Sequence, residues 1–323
     1  LKEELFLGID IGGTKCALIL GNGRGKIFAK KKFPTVRGNY QLVVRDIVES
    51  VGDILKESAF SRDRISSVGV SCGGPLDPLK GLILSPPNLP GWDRVPITEI
   101  LHDELKIPVY LQNDADAGAL AEWTWGAGKG CKNMIFLTFG TGIGAGLILN
   151  GKLYRGSNGT AGEVGHIRLA EEGPNGYGKN GSFEGFCSGG GIASLAAMKA
   201  EELSRTGLSP SSGLTAREIG EAAETGNPAA KDILAVSGKY LGRGLSILID
   251  ILNPEVIVIG SIFIRCEKFL RPSMEEEIRK ETLMRSSAVC RILPAALGER
   301  IGDYAALGVA VDASKLVDET ASC

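Results

Sequence analysis

The chain has 323 residues, 43% of them hydrophobic, with 36 basic and 38 acidic side chains and a formal net charge of −2. That length and apolar content suit two packed domains, and the near balance of charge leaves no footprint for nucleic acid or an anionic membrane. Its seven cysteines are scattered, odd in number and free of any C-x-x-C pair, the usage of a reducing compartment and neither a disulfide framework nor a zinc ribbon.

Leu1-Lys2-Glu3-Glu4 leads straight into the apolar run Leu5–Ile9, leaving no room for a signal peptide, and no uncharged run approaches the ~20 residues that span a bilayer. A cytoplasmic protein is the expectation. After the first strand comes the turn Asp10-Ile11-Gly12-Gly13-Thr14-Lys15, and Cys16–Leu20 returns as a second strand. This is not a Walker A loop, because Thr-Lys stands where Lys-Ser/Thr is needed and no helix follows. Phe28–Phe33 reads as a third strand. Residues 41–58 place Leu42, Val43, Ile47, Val48, Val51, Ile54 and Leu55 at helical spacing. Ile65–Ser71 is a strand running into Cys72-Gly73-Gly74-Pro75, and the proline-rich segment from Leu84 to Trp92 is too long for a simple connector, which marks it as functional. A helix over 97–105 and a strand over 109–112 follow. Asn113-Asp114 then sits at a carboxyl strand end, where α/β folds place ligands, with Asp114 opening a helix over 115–125.

Met134–Phe139 starts the pattern again. The next residues, Gly140-Thr141-Gly142-Ile143-Gly144-Ala145-Gly146, nearly fit a dinucleotide fingerprint, but Leu147-Ile148-Leu149, closed by Asn150-Gly151, reads as a strand where that motif needs a helix. Glycines on alternate positions leave the backbone free to take positive φ and point its amides at a polyphosphate. Two such hairpins predict an internal duplication: two α/β domains with a cleft between their phosphate-holding turns. Further on, 154–184 is rich in Gly, Asn and Glu and contains Gly162-Glu163-Val164-Gly165-His166. Ser188 caps a helix running to about Ser204, Thr215 and Glu218 form a capping box, and 228–251 is a long helix. A buried strand over 256–259 meets Gly260-Ser261. A last helix from Ile301 to about Leu316 packs back on the first domain. The expected domains are therefore 1–114 together with 301–323, and 115–300.

The order β-β-β-α-β-α-β-α resembles the ribonuclease-H-like core duplicated in sugar kinases, actin and related ATPases. More specifically, the chain resembles the ROK sugar kinases, with glucokinase-like and N-acetylhexosamine kinase members, along essentially its whole length. The likeness rests on Asp10-x-Gly12-Gly13-Thr14-Lys15, Asn113-Asp114, Thr138-x-Gly140-Thr141-Gly142-x-Gly144, Glu163-x-Gly165-His166 and Glu184. It implies transfer of the ATP γ-phosphoryl group to a hexose hydroxyl, typically at C6, with Asp114 as general base. An isolated Asp at a helix start is more often only a cap. Glu163, His166 and Glu184 would hold sugar hydroxyls, joined by Asn88 and Asn113 and by the pocket near Gly74. Asp10 would hold Mg²⁺ through water, and the amides of Gly12, Gly13 and Thr14 with those of Thr141 and Gly142 would cradle phosphates, with Gly140, Gly144, Thr138, Lys15 and the turn at Gly260 also on the nucleotide side. His102, on an ordinary amphipathic helix, reads as surface. The family resemblance also implies a homodimer.

The chain departs from the family at one point. Where many ROK proteins carry a C-x-C-G-x-x-G-C-x-E stretch that binds zinc with the histidine, Asn175, Tyr177 and Ser182 stand in place of the thiolates, and only Glu184 remains. No zinc is expected, and the loop should be ordered by hydrogen bonds and by Tyr177 and Phe183. An N-acetylmannosamine or N-acetylglucosamine kinase and a non-catalytic sugar sensor are the alternatives. DNA binding is not expected, since the first strand begins within a few residues of Leu1 where the family's repressors carry a helix-turn-helix.

Overall fold

A computed structural model describes residues 3–209 and 213–321, with side chains as far as 315. The chain divides into two units: Leu1–Gly130 with Leu153–Ala161 and Glu299–Cys323, and Cys131–Lys152 with Gly162–Gly298.

In the first unit β1 (Leu5–Ile11) pairs antiparallel with β2 (Lys15–Asn22), and β2 with β3 (Ile27–Pro34). Helix α1 (Tyr40–Ser58) starts at Asn39, whose side chain accepts the Leu42 amide, and it buries the predicted stripe of Val43, Ile47, Val51 and Ile54. Strand β4 (Ile65–Cys72) runs parallel to β1. The small hairpin of β5 (Leu76–Asp77) and β6 (Leu82–Ile83) follows, then α2 (Ile97–Leu105), β7 (Val109–Asn113) and α3 (Asp114–Trp125). The sheet order is β3-β2-β1-β4-β7.

Alternation along β1 assigns its two faces. Leu5, Leu7, Ile9 and Ile11 share one core with α1 and α2, while Phe6 meets Leu307, Ala310 and Val311 of the C-terminal helix (Ile301–Ala321). That helix lies close because glycines face it. A Cβ on Gly8 would stand 2.7 Å from the Leu307 nitrogen, and one on Gly69 would run into the Ala306 carbonyl. Ser67 Oγ donates to the Ala310 carbonyl at 2.8 Å. Helix α3 packs on the same C-terminal helix and so lies in the first unit, although the sequence reading began the second domain at 115.

The second unit opens with β8 (Met134–Phe139) and β9 (Ile143–Leu149); β10 (Lys152–Tyr154), reached through Asn150 and Gly151 at φ 53° and 74°, begins in this unit and runs into the Leu153–Ala161 segment of the first. A two-residue hairpin, β11 (Asn175–Gly176) and β12 (Lys179–Asn180), leads to α4 (Phe183–Cys187). Ser188 caps the next helix as predicted, but the helix breaks at Lys199 into α5 (Gly189–Met198) and α6 (Ala200–Arg205). The Thr215–Glu218 capping box opens α7 (Ala216–Glu224), and α8 (Pro228–Leu252) ends on Asn253 in the left-handed conformation. Strand β13 (Val256–Ile259), α9 (Ile262–Glu281), α10 (Met284–Ser287) and β14 (Arg291–Pro294) complete the unit. The sheet order β10-β9-β8-β13-β14 repeats that of the first sheet, with β8–β9 antiparallel like β1–β2, and with β8–β13 and β13–β14 parallel like β1–β4 and β4–β7. The internal duplication is therefore present at the level of topology.

Candidate active site

The predicted site residues fall into two groups, one in each unit. In the first unit the turn between β1 and β2 is only Gly12-Gly13-Thr14, shorter than expected because Lys15 already pairs. Gly12 donates its amide to the Lys15 carbonyl at 3.1 Å, and Thr35 ties the turn down through its hydroxyl to the Gly12 carbonyl, 2.6 Å, and its amide to the Thr14 carbonyl, 3.0 Å. The Gly12 amide is thus committed to the turn, which corrects its assignment to phosphate and leaves Gly13 and Thr14 as the candidates. Neither Gly12 nor Gly13 takes a positive φ. Glycine is needed at 13 for close approach: a Cβ there would overlap the Asn88 backbone carbonyl and stand 2.9 Å from Asn88 Cβ. The Leu84–Trp92 segment, held by the buried Trp92 indole, thereby brings exposed Asn88 beside the turn and near Gly73, with Gly74 exposed next to it.

Asp10, Ala17 and Lys32 lie in one row across β1, β2 and β3. Asp10 is half-buried, and desolvation, with the nearby negative charges of Asp303 and Asp114, pushes its pKa up to about 6 against the opposing pull of Lys15 and Lys30. Lys30 is itself paired with Asp303. Lys15 is exposed at the head of β2. A crowded carboxylate of raised pKa beside a glycine turn suits a hard cation, which would relieve the repulsion, so Asp10 fits a Mg²⁺ ligand.

At the end of β7 the structure corrects which residue caps α3. The N-cap is Asn113, whose Oδ1 accepts the Asp116 amide at 2.7 Å, and Asp114 is the first helical residue. Asp114 reaches solvent, yet protein crowded about it disfavours the charged form and raises its pKa, opposed by its own amide and that of Ala115. Just before it, buried Gln112 is turned so that its amide oxygen accepts from Arg155 Nη2 and Nε at 2.8 and 2.6 Å, and Arg155 also stands 3.7 Å from Asp312. Sequence reading missed Arg155, because nothing local ties residue 155 to residue 112.

In the second unit the Thr138 hydroxyl accepts the Gly144 amide at 2.9 Å and faces the Gly144 carbonyl at 3.2 Å, so it closes the hairpin. Gly144 is a strand residue, and none of Gly140, Gly142, Gly144 and Gly146 has a positive φ, contrary to the expectation drawn from their alternation. Proximity again explains the glycine: a Cβ on Gly142 would stand 2.6 Å from Glu184 Oε2. That oxygen accepts the Ile143 amide at 3.0 Å, so Glu184 is joined directly to the glycine turn. The Gly140 carbonyl accepts the Gly189 amide at 2.7 Å, which brings the start of α5 to the same turn, with Thr141 exposed beside it. The sequence marks this helix start by its Ser188 cap but gives no sign that it meets the glycine turn.

Glu163 precedes and His166 ends a single 3₁₀ turn, the His166 amide donating to the Glu163 carbonyl at 3.2 Å. Glu163 is exposed, and Gly165 packs against Glu184, whose Cβ would lie 3.3 Å from a Cβ at 165. Glu163, His166, Glu184 and the turn at Thr141–Gly142 therefore form one neighbourhood. Gly260 donates to the Leu137 carbonyl at 3.0 Å at the end of β13, and Ser261 follows at φ 49° and ψ −108°. His102 is exposed, as expected, with Nδ1 2.9 Å from the Ile107 carbonyl oxygen. Among the described residues no three His, Cys, Asp or Glu side chains gather as a metal ligand set, and no helix is long and apolar enough to cross a membrane.

Comparison with known proteins shows what the chain is similar to. A glucokinase of Halalkalibacterium halodurans is 33% identical over 267 residues, 80% of this chain and 81% of that protein. A xylose repressor of Caldicellulosiruptor bescii is 29% identical over 79% of this chain and 65% of the repressor. Among solved structures, the ROK hexokinase from Thermus thermophilus superposes with a TM-score of 0.81 at 28% identity, covering 98% of this chain and 99% of that one. A ROK family glucokinase from Streptomyces griseus, in complex with glucose and AMPPNP, gives a TM-score of 0.72 at 28% identity, over 95% and 99% of the two chains. The fold is the duplicated ribonuclease-H-like one of sugar kinases and actin-like ATPases. The ROK family profile matches residues 6–312, and the chain belongs to the ROK family.

Proposed function

We propose that this protein transfers the γ-phosphoryl group of ATP to a hexose hydroxyl, in the manner of a glucokinase. The observation that carries the reading is the separation of tasks at the end of β7: Asn113 holds the helix cap, so the Asp114 carboxylate is left for chemistry, and its raised pKa suits a proton acceptor. Asp114 accepts the proton of the attacking hydroxyl as the in-line displacement develops. Asn88 and Asn113 in the first unit and Glu163, His166 and Glu184 in the second offer paired donors and acceptors for sugar hydroxyls. The amides of Gly13, Thr14, Thr141 and Gly142 hold phosphate oxygens, with Lys15 and Thr138 beside them and Gly260 on the nucleotide side. Mg²⁺ held by Asp10 through water would supply charge neutralisation on the phosphates.

The direct link from Glu184 to the Ile143 amide gives the second unit a way to align sugar and phosphate, because one carboxylate borders both groups. A homodimer in a cytoplasmic setting belongs to this reading and is checked by light scattering. The chain is similar in sequence to a repressor as well as to kinases, so a sugar sensor without turnover is the second reading. ADP release from Mg-ATP over glucose, mannose, fructose, allose, N-acetylglucosamine and N-acetylmannosamine, with a no-sugar control, separates the two. One strongly active sugar supports the kinase and names its substrate. A flat panel beside measurable sugar binding sinks it in favour of the sensor.

A further inference from the structure

The three positions at which the family resemblance implies zinc thiolates carry side chains with other engagements. Asn175 Oδ1 accepts the Gly178 amide at 3.0 Å, and its Nδ2 donates to Asn180 Oδ1 at 2.8 Å. Ser182, wholly buried, accepts the Gly185 amide at 3.0 Å as the cap of α4 and donates to the Gly176 carbonyl at 3.3 Å. The Tyr177 ring meets the His166 imidazole edge-on, with centroids 4.9 Å apart and planes at 74°. An amide, a hydroxyl and an aromatic ring are not a zinc donor set, so the residues present do not fit that metal.

We propose that the β11–β12 hairpin is a metal-free clasp, in which Tyr177 fixes the plane of the His166 imidazole and Lys179 fixes its backbone, so that His166 meets the sugar in one orientation. This rests on the reading of His166 as a sugar ligand. Lys179 Nζ donates to the His166 carbonyl at 2.7 Å, so the two hairpin residues grip ring and main chain separately. Tyr177 is 71% exposed and sits at φ 50°, a left-handed conformation unusual for an aromatic residue. The two-residue turn accounts for that φ, with Gly178 following at 79°, but neither the turn nor core packing calls for an aromatic side chain there, and the contact with His166 does.

The hairpin has a rigid base from which to act. Phe183 is fully buried against Gly244 of α8, where a Cβ would come within 2.5 Å of its ring. Phe186 stacks on Tyr240 at 3.4 Å, and Arg243 ties the loop to α9 by bonding both Glu277, at 2.7 Å, and the Leu169 carbonyl, at 3.4 Å. Tyr177 and Lys179 are therefore positioning residues, acting on substrate through His166.

Because His102 and His166 are the only histidines, the His166 ring protons can be followed individually by ¹H–¹³C NMR, with His102→Gln completing the assignment. Tyr177→Ala should move the His166 signals by removing the neighbouring ring current and raise the sugar KM about three- to tenfold, with kcat and the ATP KM within about twofold of the parent. Tyr177→Phe should restore both, Lys179→Met should raise the sugar KM without removing the ring current, and a zinc-selective chelator in excess Mg²⁺ should leave the rate unchanged. An unchanged sugar KM in Tyr177→Ala, an equal loss in every kinetic constant, or inactivation by the chelator reversed by zinc would overturn the clasp. Should no sugar be phosphorylated, the kinase reading fails separately, and hexose affinity by calorimetry in the same variants, beside the NMR shifts, decides for or against the clasp.

Discussion

Asn113 accepts the amide of Asp116 at 2.7 Å, and this one bond separates the structural duty at the head of α3 from the chemical duty of the residue between them. Asp114→Asn should therefore leave the fold almost untouched, with the melting temperature near that of the parent and hexose affinity within a few-fold. Turnover should fall by ~10²–10⁴, the usual scale for loss of a general base. Full activity in the variant would remove Asp114 from that role.

Asp10 sets activity against stability. Its pKa is raised from 3.8 to about 6 in the folded chain, so between those values the unfolded chain has released a proton that the folded one retains. Stability from this group is therefore present below pH about 4 and is lost as pH rises to about 6, a loss of about 3 kcal/mol. Asp10→Asn should remove that loss. Urea denaturation without Mg²⁺ should show the variant gaining on the parent as pH is raised from 4 to 7, while Mg-ATP turnover collapses. A difference between the two proteins that does not vary with pH would contradict the assignment.

The two hairpin glycines should respond differently to alanine. At Gly13 the new methyl meets the backbone carbonyl of Asn88, which cannot swing away, so Gly13→Ala should destabilise the fold by about 1–3 kcal/mol and displace Asn88. At Gly142 it meets only the end of the Glu184 side chain, 2.6 Å away. Gly142→Ala should keep its melting temperature and raise the sugar KM as Glu184 leaves the Ile143 amide. Paired thermal melts and kinetics test the contrast, and equal effects at both sites would refute it.

Gly69→Ala drives a methyl into the C-terminal helix at Ala306 and Ala310. We expect a loss of about 1–3 kcal/mol or more, read as a drop in the urea midpoint, with the Ser67–Ala310 bond broken. An unaltered midpoint would mean that the helix is less tightly seated than its glycine contacts require.

Much of this architecture was legible in local pattern. Strand alternation, the α1 stripe, the Thr215–Glu218 box and the Asn150-Gly151 turn are written in neighbouring residues, and the paired hairpins disclosed the duplication. What failed to show depends on distant partners. The alternate glycines around 140–146 invite a reading as flexible backbone, but none takes a positive φ, and the need for glycine at 142 is set by Glu184, far along the chain. Helix α9 was hidden by Pro272 inside a charged segment, and it holds because Gly238 and Gly242 let it press against α8. Asn113 and Asp114 are both good cap residues, and only the bond to Asp116 distinguishes them. The candidate site was legible as a set of motifs, whereas the engagements of Arg155 and Lys179, and the meeting of the Ser188-capped helix with the glycine turn, carry no local signature.

The seating of residues 301–321 on Gly8 and Gly69 bears on the order of events during synthesis. The sheet of the first unit is translated early, yet the helix that covers its second face emerges only after the whole of the second unit. Until then Phe6 and the bare glycine surface around it lie open to water. The unit begun first is thus finished last, and a nascent chain halted before residue 301 would present an uncovered sheet face to chaperones instead of a completed domain.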